Sequence, residues 1–376
     1  LTFLSRVIPF SRTLQDEGIS ALNHSSCAIT QFQQLLSKLP HFSLTQLPTP
    51  VHRLTNFGKH IDCAELWIKR DDLSGLAGGG NKTRKLEFLV GDALTTGADT
   101  LLTVGAIQSN HTRQTAAAAA RAGLKCALLH CDWTRSAGPT YRQTGNILLS
   151  SMMGAELFFD GIERPIEDQG PLDDLAKYLT RRGQKPYVIP GGASDHPLGS
   201  YGYANCAAEI AAQERALGIT FDFVVHTTGS SSTQSGLLAG FAAIGASTRV
   251  IGIPDDEETE IKRERVHRLA NSALKDIGLP ASVPLDQVDL FVGDRSPYGV
   301  ADAETIAAIK LFAHSEGLIA DPVYEGKALR GLIELSKVGR LAGKKVLLLH
   351  LGGTPAVHGY AAQLGPIELK NMPDLA

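Results

Sequence analysis

Short apolar runs alternate along the chain with stretches of helical periodicity. Residues 64–69, 100–104, 126–130, 156–159, 186–189, 222–225, 250–253 and 346–350 read as strands. Roughly one crossover helix separates each from the next, the pattern of a parallel α/β sheet covered on both faces. The alanine-rich stretch 112–122 is the plainest of these helices. Gly191-Gly192-Ala193-Ser194 interrupts the alternation, so a domain boundary is expected near residues 190–197. Ligands of such sheets bind beyond the carboxyl ends of the strands. Three loops fall there: Ser109-Asn110, 229–233 and 351–353.

A glycine-rich turn carries the first chemical signal, Gly78-Gly79-Gly80-Asn81-Lys82-Thr83-Arg84-Lys85-Leu86-Glu87-Phe88. Leu86, Leu89, Val90, Ala93 and Leu94 follow at the spacing of one buried helical face. Asn81 is the expected N-cap, which puts Lys82 and Lys85 in the first turn. Cations are disfavoured there, because free N–H groups and the macrodipole already make that end positive. A lysine so placed points to a covalent or anionic partner, typically an aldehyde captured by an unprotonated ε-amine as a Schiff base. The plainer alternative is a glycine-rich turn with solvated lysines.

Further on, an apolar run ends at Thr227-Thr228-Gly229-Ser230-Ser231-Ser232-Thr233-Gln234, and Leu237, Leu238 and Phe241 then open a helical pattern. Strand, small-residue loop and helix start is the geometry in which N–H groups and hydroxyls cradle a phosphate. The loop lacks the Gly-Lys-Ser/Thr of a nucleotide hydrolase and the G-x-G-x-x-G of a dinucleotide fold. Taken alone, a serine-rich loop is more often solvent-exposed filler. Combined with a lysine at another helix start, it makes a phosphate-bearing aldehyde the economical ligand. Pyridoxal phosphate is that molecule.

Composition narrows the class. The chain has 376 residues, 43% apolar and 20% charged, which suits a soluble enzyme of two domains. A net charge of −3 gives no reason to expect nucleic acid or an anionic membrane as partner. No apolar run approaches the roughly 18 residues of a membrane span. Five scattered cysteines suggest free thiols in a reducing compartment, with the cytoplasm as default. Cys126, His130 and Cys131 lack a second ligand pair, so they read as core and no metal site is expected. The acid–base run 255–265 reads as a solvated helix face. Residues 1–37 stand apart as an N-terminal arm or extension, either packed on the domain or serving weak organelle targeting.

The glycine–lysine motif, Gln-Ser-Asn-His-Thr-Arg-Gln (108–114), Asp-Pro-Val-Tyr-Glu-Gly-Lys (321–327) and His-Leu-Gly-Gly-Thr-Pro-Ala (350–356) occur in order. Over residues 39–360 the chain thereby resembles the 1-aminocyclopropane-1-carboxylate (ACC) deaminase and D-cysteine desulfhydrase family. The resemblance implies a fold type II, tryptophan-synthase-β-like α/β enzyme, usually a homodimer. It implies two domains, each a largely parallel twisted sheet flanked by helices. A large cofactor domain (38–85 plus 200–376) would enclose a small α/β domain (86–199). It also implies that Lys82 holds pyridoxal phosphate. Lys85 with Gly229, Ser230, Ser231, Ser232 and Thr233 would lie near the phosphate, and Asn110 would meet the ring hydroxyl. Substrate would be met by Ser109, Asn110, His111, Thr112 and Trp133.

The family's reactions differ in the electron sink they need. ACC has no α-proton, so a ring carbon must be attacked or deprotonated. A carboxylate beside the pyridine nitrogen keeps that nitrogen protonated and strengthens the sink. Proteins resembling the deaminases carry glutamate and leucine at two positions where desulfhydrases tend to have hydroxyl residues; here these are Glu325 and Leu351. Trp133, Gly145-Asn146-Ile147 and Tyr298 also resemble the deaminase side, whereas His111 and Asp71-Asp72 resemble the desulfhydrases. The serine loop is similar to that of cysteate sulfo-lyases. The leading expectation is conversion of ACC to 2-oxobutanoate and ammonia, with Tyr324 or Ser109 starting ring opening. The alternatives are D-cysteine desulfhydration, cysteate sulfo-lysis and non-catalytic cofactor binding. Each site residue also has a plainer reading: Ser109 as a helix cap, Glu325 as a cap or a partner of Lys327, and Tyr298 and Tyr324 as core phenols.

Overall fold

In the computed structural model, residues 26–134, 138–162, 168–255, 259–370 and 372 are described. Residues 1–25 of the N-terminal segment lie outside them. The strands are β1 (Val51–Arg53), β2 (Glu65–Arg70), β3 (Thr100–Ala106), β4 (Lys125–Cys131), β5 (Glu156–Asp160), β6 (Pro186–Ile189), β7 (Phe223–Thr228), β8 (Arg249–Pro254), β9 (Asp289–Leu290) and β10 (Lys345–His350). The α-helices are α1 (Ser26–Leu36), α2 (Lys82–Thr95), α3 (Asn110–Ala122), α4 (Gly145–Met152), α5 (Gly170–Arg181), α6 (Tyr201–Leu217), α7 (Ser232–Ile244), α8 (Thr259–Asp276), α9 (Ala303–Glu316), α10 (Glu325–Lys337) and α11 (Ala361–Leu364).

Two sheets result, one of six strands in the order β1-β2-β10-β7-β8-β9 and one of four in the order β5-β4-β3-β6. Every pairing is parallel except β1 with β2. This is the two-sheet α/β fold expected from the sequence. The central strands β3 and β7 are buried at every position, as parallel strands covered by helices on both faces must be. Apolar clusters line both faces of each sheet, and Cys126 and Cys131 fall in the two clusters that flank the four-stranded one.

Helix α2 departs from the single apolar face read from its spacing. Every residue from Thr83 to Gly91 is buried, including Arg84 and Lys85. The polar side is accommodated by an ionic cluster. Arg84 donates from Nε and Nη2 to the two Asp71 oxygens at 2.8 Å each and from Nη1 to Glu209 Oε2 at 3.0 Å. Lys69 Nζ donates to Glu209 Oε1 at 2.6 Å, and Tyr203 OH donates to Asp71 Oδ2 at 2.7 Å. Burial alone would raise the Asp71 pKa, but the Arg84 charge and its hydrogen bonds outweigh that and bring it down to about 2. The cluster clamps the lysine-bearing helix to β2 and α6.

In the run 255–265, residues 256–258 lie outside the described residues, and 259–261 and 263–265 are at least partly exposed as expected, but two residues differ. Asp255 and Lys262 are buried and pair at 3.3 Å, and Lys262 Nζ donates to Gly229 O at 2.8 Å. A carbonyl turned inward by the serine loop needs that donor, so the lysine is drawn out of the solvated face.

Arg84→Met should leave the Asp71 and Glu209 carboxylates buried without their shared cation and cost about 3–5 kcal/mol, read from urea unfolding. A loss below about 1 kcal/mol would show the clamp to be dispensable. Because the folded Asp71 pKa lies below its ordinary 3.8, its contribution is present above about pH 4 and fades as pH falls toward 2.

Candidate active site

The starts of α2, α3, α7 and α10 converge on a cavity of about 380 Å³ beyond the carboxyl ends of β3, β7 and β10. Strand residues of both sheets, Ala106 and Thr227, line it together with Gly192 and Leu351 from the segments that follow β6 and β10. Helix starts bring partial positive charge and free N–H groups, so their convergence favours an anionic ligand.

Lys82 lies on the cavity wall. Its Nζ donates to Gly192 O at 2.9 Å and lies 3.3 Å from Ser230 Oγ. Gly192 has φ +67°, and a Cβ there would stand 3.3 Å from the amine, so glycine lets this loop approach. Lys85, fully buried behind it, donates to Ser232 Oγ at 2.7 Å and Ser230 Oγ at 3.2 Å. Among the described residues neither lysine forms an ion pair. Burial lowers the Lys82 pKa to about 8, and burial together with Lys82 holds Lys85 well below the usual lysine range. Helix α2 is not capped by Asn81, whose own backbone is helical; Gln114 Oε1 accepts from Thr83 N at 2.9 Å instead. That cap comes from α3 and could not be read locally.

The serine loop ends at Ser231, whose φ is +63° and whose buried Oγ has no partner among the described residues. No side chain caps α7. Gly229, Ser230, Ser231 and Thr233 line the cavity, while Ser232 is turned to Lys85.

Glu325 also lines the cavity, buried at the start of α10 with Oε1 unpartnered among the described residues. Its Oε2 lies 3.6 Å from His350 Nδ1. That nitrogen accepts from Gly352 N at 3.2 Å, and Nε2 lies 3.1 Å from Ile319 O, so His350 is neutral and has no proton to offer Glu325. Burial, then nearby Asp321, raises the Glu325 pKa well above the carboxylate range. Lys327 binds the carbonyls of Asp255, Ser296 and Pro297 rather than Glu325. Asp321, lifted by burial to about 6, accepts from the amides of Val323 and Tyr324 and so shapes this corner.

Ser109 is the cap of α3, its Oγ accepting from the amides of His111 and Thr112 at 3.2 Å each, and it also lines the cavity. Thr112 does not reach the cavity wall; its hydroxyl donates to Ser109 O. Thr103 Oγ1 donates to Ile189 O at 2.7 Å and so accepts from His111 Nε2 at 2.8 Å, which leaves the unpartnered Nδ1 with its lone pair. Burial, then Lys82 and Lys85, keeps His111 neutral. Tyr298 and Tyr324 share a 2.7 Å hydrogen bond on the cavity wall, and Trp133 stands edge-on to Tyr298. Burial, then Tyr324, raises the Tyr298 pKa well above 10. Sequence reasoning did not single out Gly192, Asp255, Arg265 or Asp321 as cavity residues. Gly192 lay in the break noted at 191–194 and Asp321 in a quoted motif, the signals available.

Residues 42–352 match the family described as pyridoxal-phosphate dependent enzyme, and the chain belongs to that family. It is 44% identical over 331 residues to a 1-aminocyclopropane-1-carboxylate deaminase of Burkholderia cenocepacia, covering 86% of this chain and 97% of that one. It is equally identical over 336 residues to one of Burkholderia vietnamiensis, covering 87% and 98%. Among solved structures, one described as an ACC deaminase homologue has a TM-score of 0.80 at 35% identity, covering 89% and 98%. An O-ureido-L-serine synthase mutant at 18% identity has a TM-score of 0.59 over 86% and 91%, a likeness of fold alone. The cavity suits the family's cofactor: unpartnered Glu325 Oε1 and Ser231 Oγ, and two buried amines without an acid, each lack what a phosphorylated pyridine aldehyde brings. Among the described residues no helix is long and apolar enough to cross a membrane.

With the Lys82 pKa near 8, labelling of that amine in cofactor-free protein by an amine-selective reagent should rise with a midpoint near pH 8. A midpoint near the ordinary 10.5, followed by peptide mass spectrometry, would reject the desolvated amine.

Proposed function

We propose that the chain is an ACC deaminase, which opens the substrate's three-membered ring and releases ammonia and 2-oxobutanoate. The observation that carries this reading is Glu325, a buried carboxyl on the cavity wall whose Oε1 has no partner among the described residues. The 44% identity to proteins of that name supports it. Pyridoxal phosphate, when bound, supplies an electron sink for the bonds around the substrate's α-carbon. Glu325 is the group suited to strengthen that sink, by holding the pyridine nitrogen protonated.

Lys82 is the amine that would hold the cofactor and, once free, take and return a proton at Nζ. Its lowered pKa leaves a share of it unprotonated near neutrality. Lys85 and the loop Gly229, Ser230, Ser231, Ser232 and Thr233 would hold the phosphate, whose charge would restore the proton that burial strips from Lys85. Leu351 would pack on the ring and Asn110 would meet its hydroxyl.

Ser109 accepts two N–H bonds, so its own proton is turned outward. That suits a donor to the substrate carboxylate and makes a poor base. Tyr324 is then the better candidate to start ring opening, its phenol coupled to Tyr298. His111 Nδ1 offers an acceptor on the substrate side, Trp133 closes that side, and Thr112 acts only through Ser109. The division into units 38–85 plus 200–376 and 86–199, and a homodimeric state, belong to the same proposal.

The loaded enzyme should form 2-oxobutanoate from ACC. Lys82→Ala should abolish turnover, and Glu325→Gln should lower it by on the order of 10²-fold with cofactor retained. Parallel assays with D-cysteine and L-cysteate decide the substrate: pyruvate with sulfide or sulfite, and no 2-oxobutanoate from ACC, would overturn the proposal.

A further inference from the structure

Three polar side chains form a one-way relay that runs from Arg113 on α3 through Asn146 on α4 to Asn110 at the cavity. Arg113 is fully buried, and among the described residues it pairs with no carboxylate. It donates from Nη1 to Ala77 O, from Nη2 to Gly79 O at 2.8 Å and from Nε to Asn146 Oδ1 at 2.7 Å. A guanidinium has donors and no acceptor, so the Asn146 atom facing it must be the oxygen. The Asn146 nitrogen is thereby turned away. It donates to Gln108 O at 2.8 Å and to Asn110 Oδ1 at 3.0 Å. Asn146 is itself completely buried, with its own amide N–H held by Gln108 Oε1 at 2.9 Å, so it has no freedom to turn over.

The consequence falls on Asn110. With its oxygen committed to Asn146, its Nδ2 is the group left over, and no atom of the described residues accepts from it. Asn110 lines the cavity. We propose that Arg113 and Asn146 are positioning residues that fix the polarity of the Asn110 amide, so that it offers the cofactor a hydrogen-bond donor and never an acceptor. This rests on the cofactor reading above and deepens it. A donor at that point selects a deprotonated ring oxygen over a protonated one, since an N–H bond to an oxyanion is stronger than one to a hydroxyl. The same arginine holds two carbonyls of the glycine-rich turn that precedes Lys82, so one side chain orients both the turn and the amide.

Asn146→Asp separates this from a merely structural role. An aspartate keeps the size of the side chain and still accepts from Arg113, but it cannot donate to Asn110. Asn110 would then turn over to donate to the new carboxylate and present its carbonyl oxygen to the cavity. The readout is equilibrium binding to cofactor-free protein of pyridoxal phosphate and of 3-deoxypyridoxal phosphate, which lacks the ring oxygen. The unsubstituted protein should prefer the hydroxylated form by roughly tenfold or more. Asn146→Asp should erase or invert that preference. Asn146→Ala, which frees the amide without reversing it, should give an intermediate ratio and covers the case in which Asn146→Asp does not fold. If the unsubstituted protein prefers the hydroxylated form and both variants keep that preference, the relay is refuted. If it binds both forms equally, Asn110 does not meet the ring oxygen and the relay fails with it. If it binds neither, the cofactor reading itself has failed.

Discussion

Two amines lie one helical turn apart inside the protein, Lys82 against a cavity and Lys85 behind it, with hydroxyls and a carbonyl as their hydrogen-bond partners. A buried ammonium ion without a counter-charge is costly enough that such groups either shed a proton or acquire an anion. Both outcomes serve a site that must capture an aldehyde carrying a phosphate. Most of the surrounding design follows from keeping these amines apart from acids. Asp71 and Glu209 are bound to Arg84 and Lys69, and Asp255 is bound to Lys262. Glu325 and Asp321, which form no ion pair with a lysine or arginine among the described residues, line the cavity at a different helix start.

Polar order of this kind is enforced by groups that can act in only one sense. A guanidinium sets Asn146, and Thr103, committed to a carbonyl, sets the tautomer of His111. Gly352 N–H fixes His350 as an acceptor at Nδ1. In each case a group that cannot reverse its role removes a choice from its neighbour, so the cavity presents one pattern of donors and lone pairs rather than an ensemble of them.

Much of the architecture was legible because parallel strands covered on both faces read as continuous apolar runs. Eight of the ten strands among the described residues fall within a few residues of their expected places. The exceptions, β1 and β9, have three and two residues at the sheet edges, too few to show a period. At the site, residues that begin helices after strands were legible, since turn chemistry is local. What escaped were long-range effects. Gln114 usurps the cap expected of Asn81, and Lys262 is recruited inward by a carbonyl near residue 229. No spacing rule marks such residues, because their partners are distant in sequence.

The place of β10 has a consequence for how the molecule comes into being. It is the last strand in sequence among the described residues, yet it sits between β2 and β7 in the middle of the six-stranded sheet. A chain emerging from the ribosome therefore carries β2 and β7 as unjoined edges until residue 350 has been made. The four-stranded sheet, whose strands all lie between residues 100 and 189, faces no such wait and can close early. Its wall of the cavity is therefore built first, and the far wall arrives only with the late central strand.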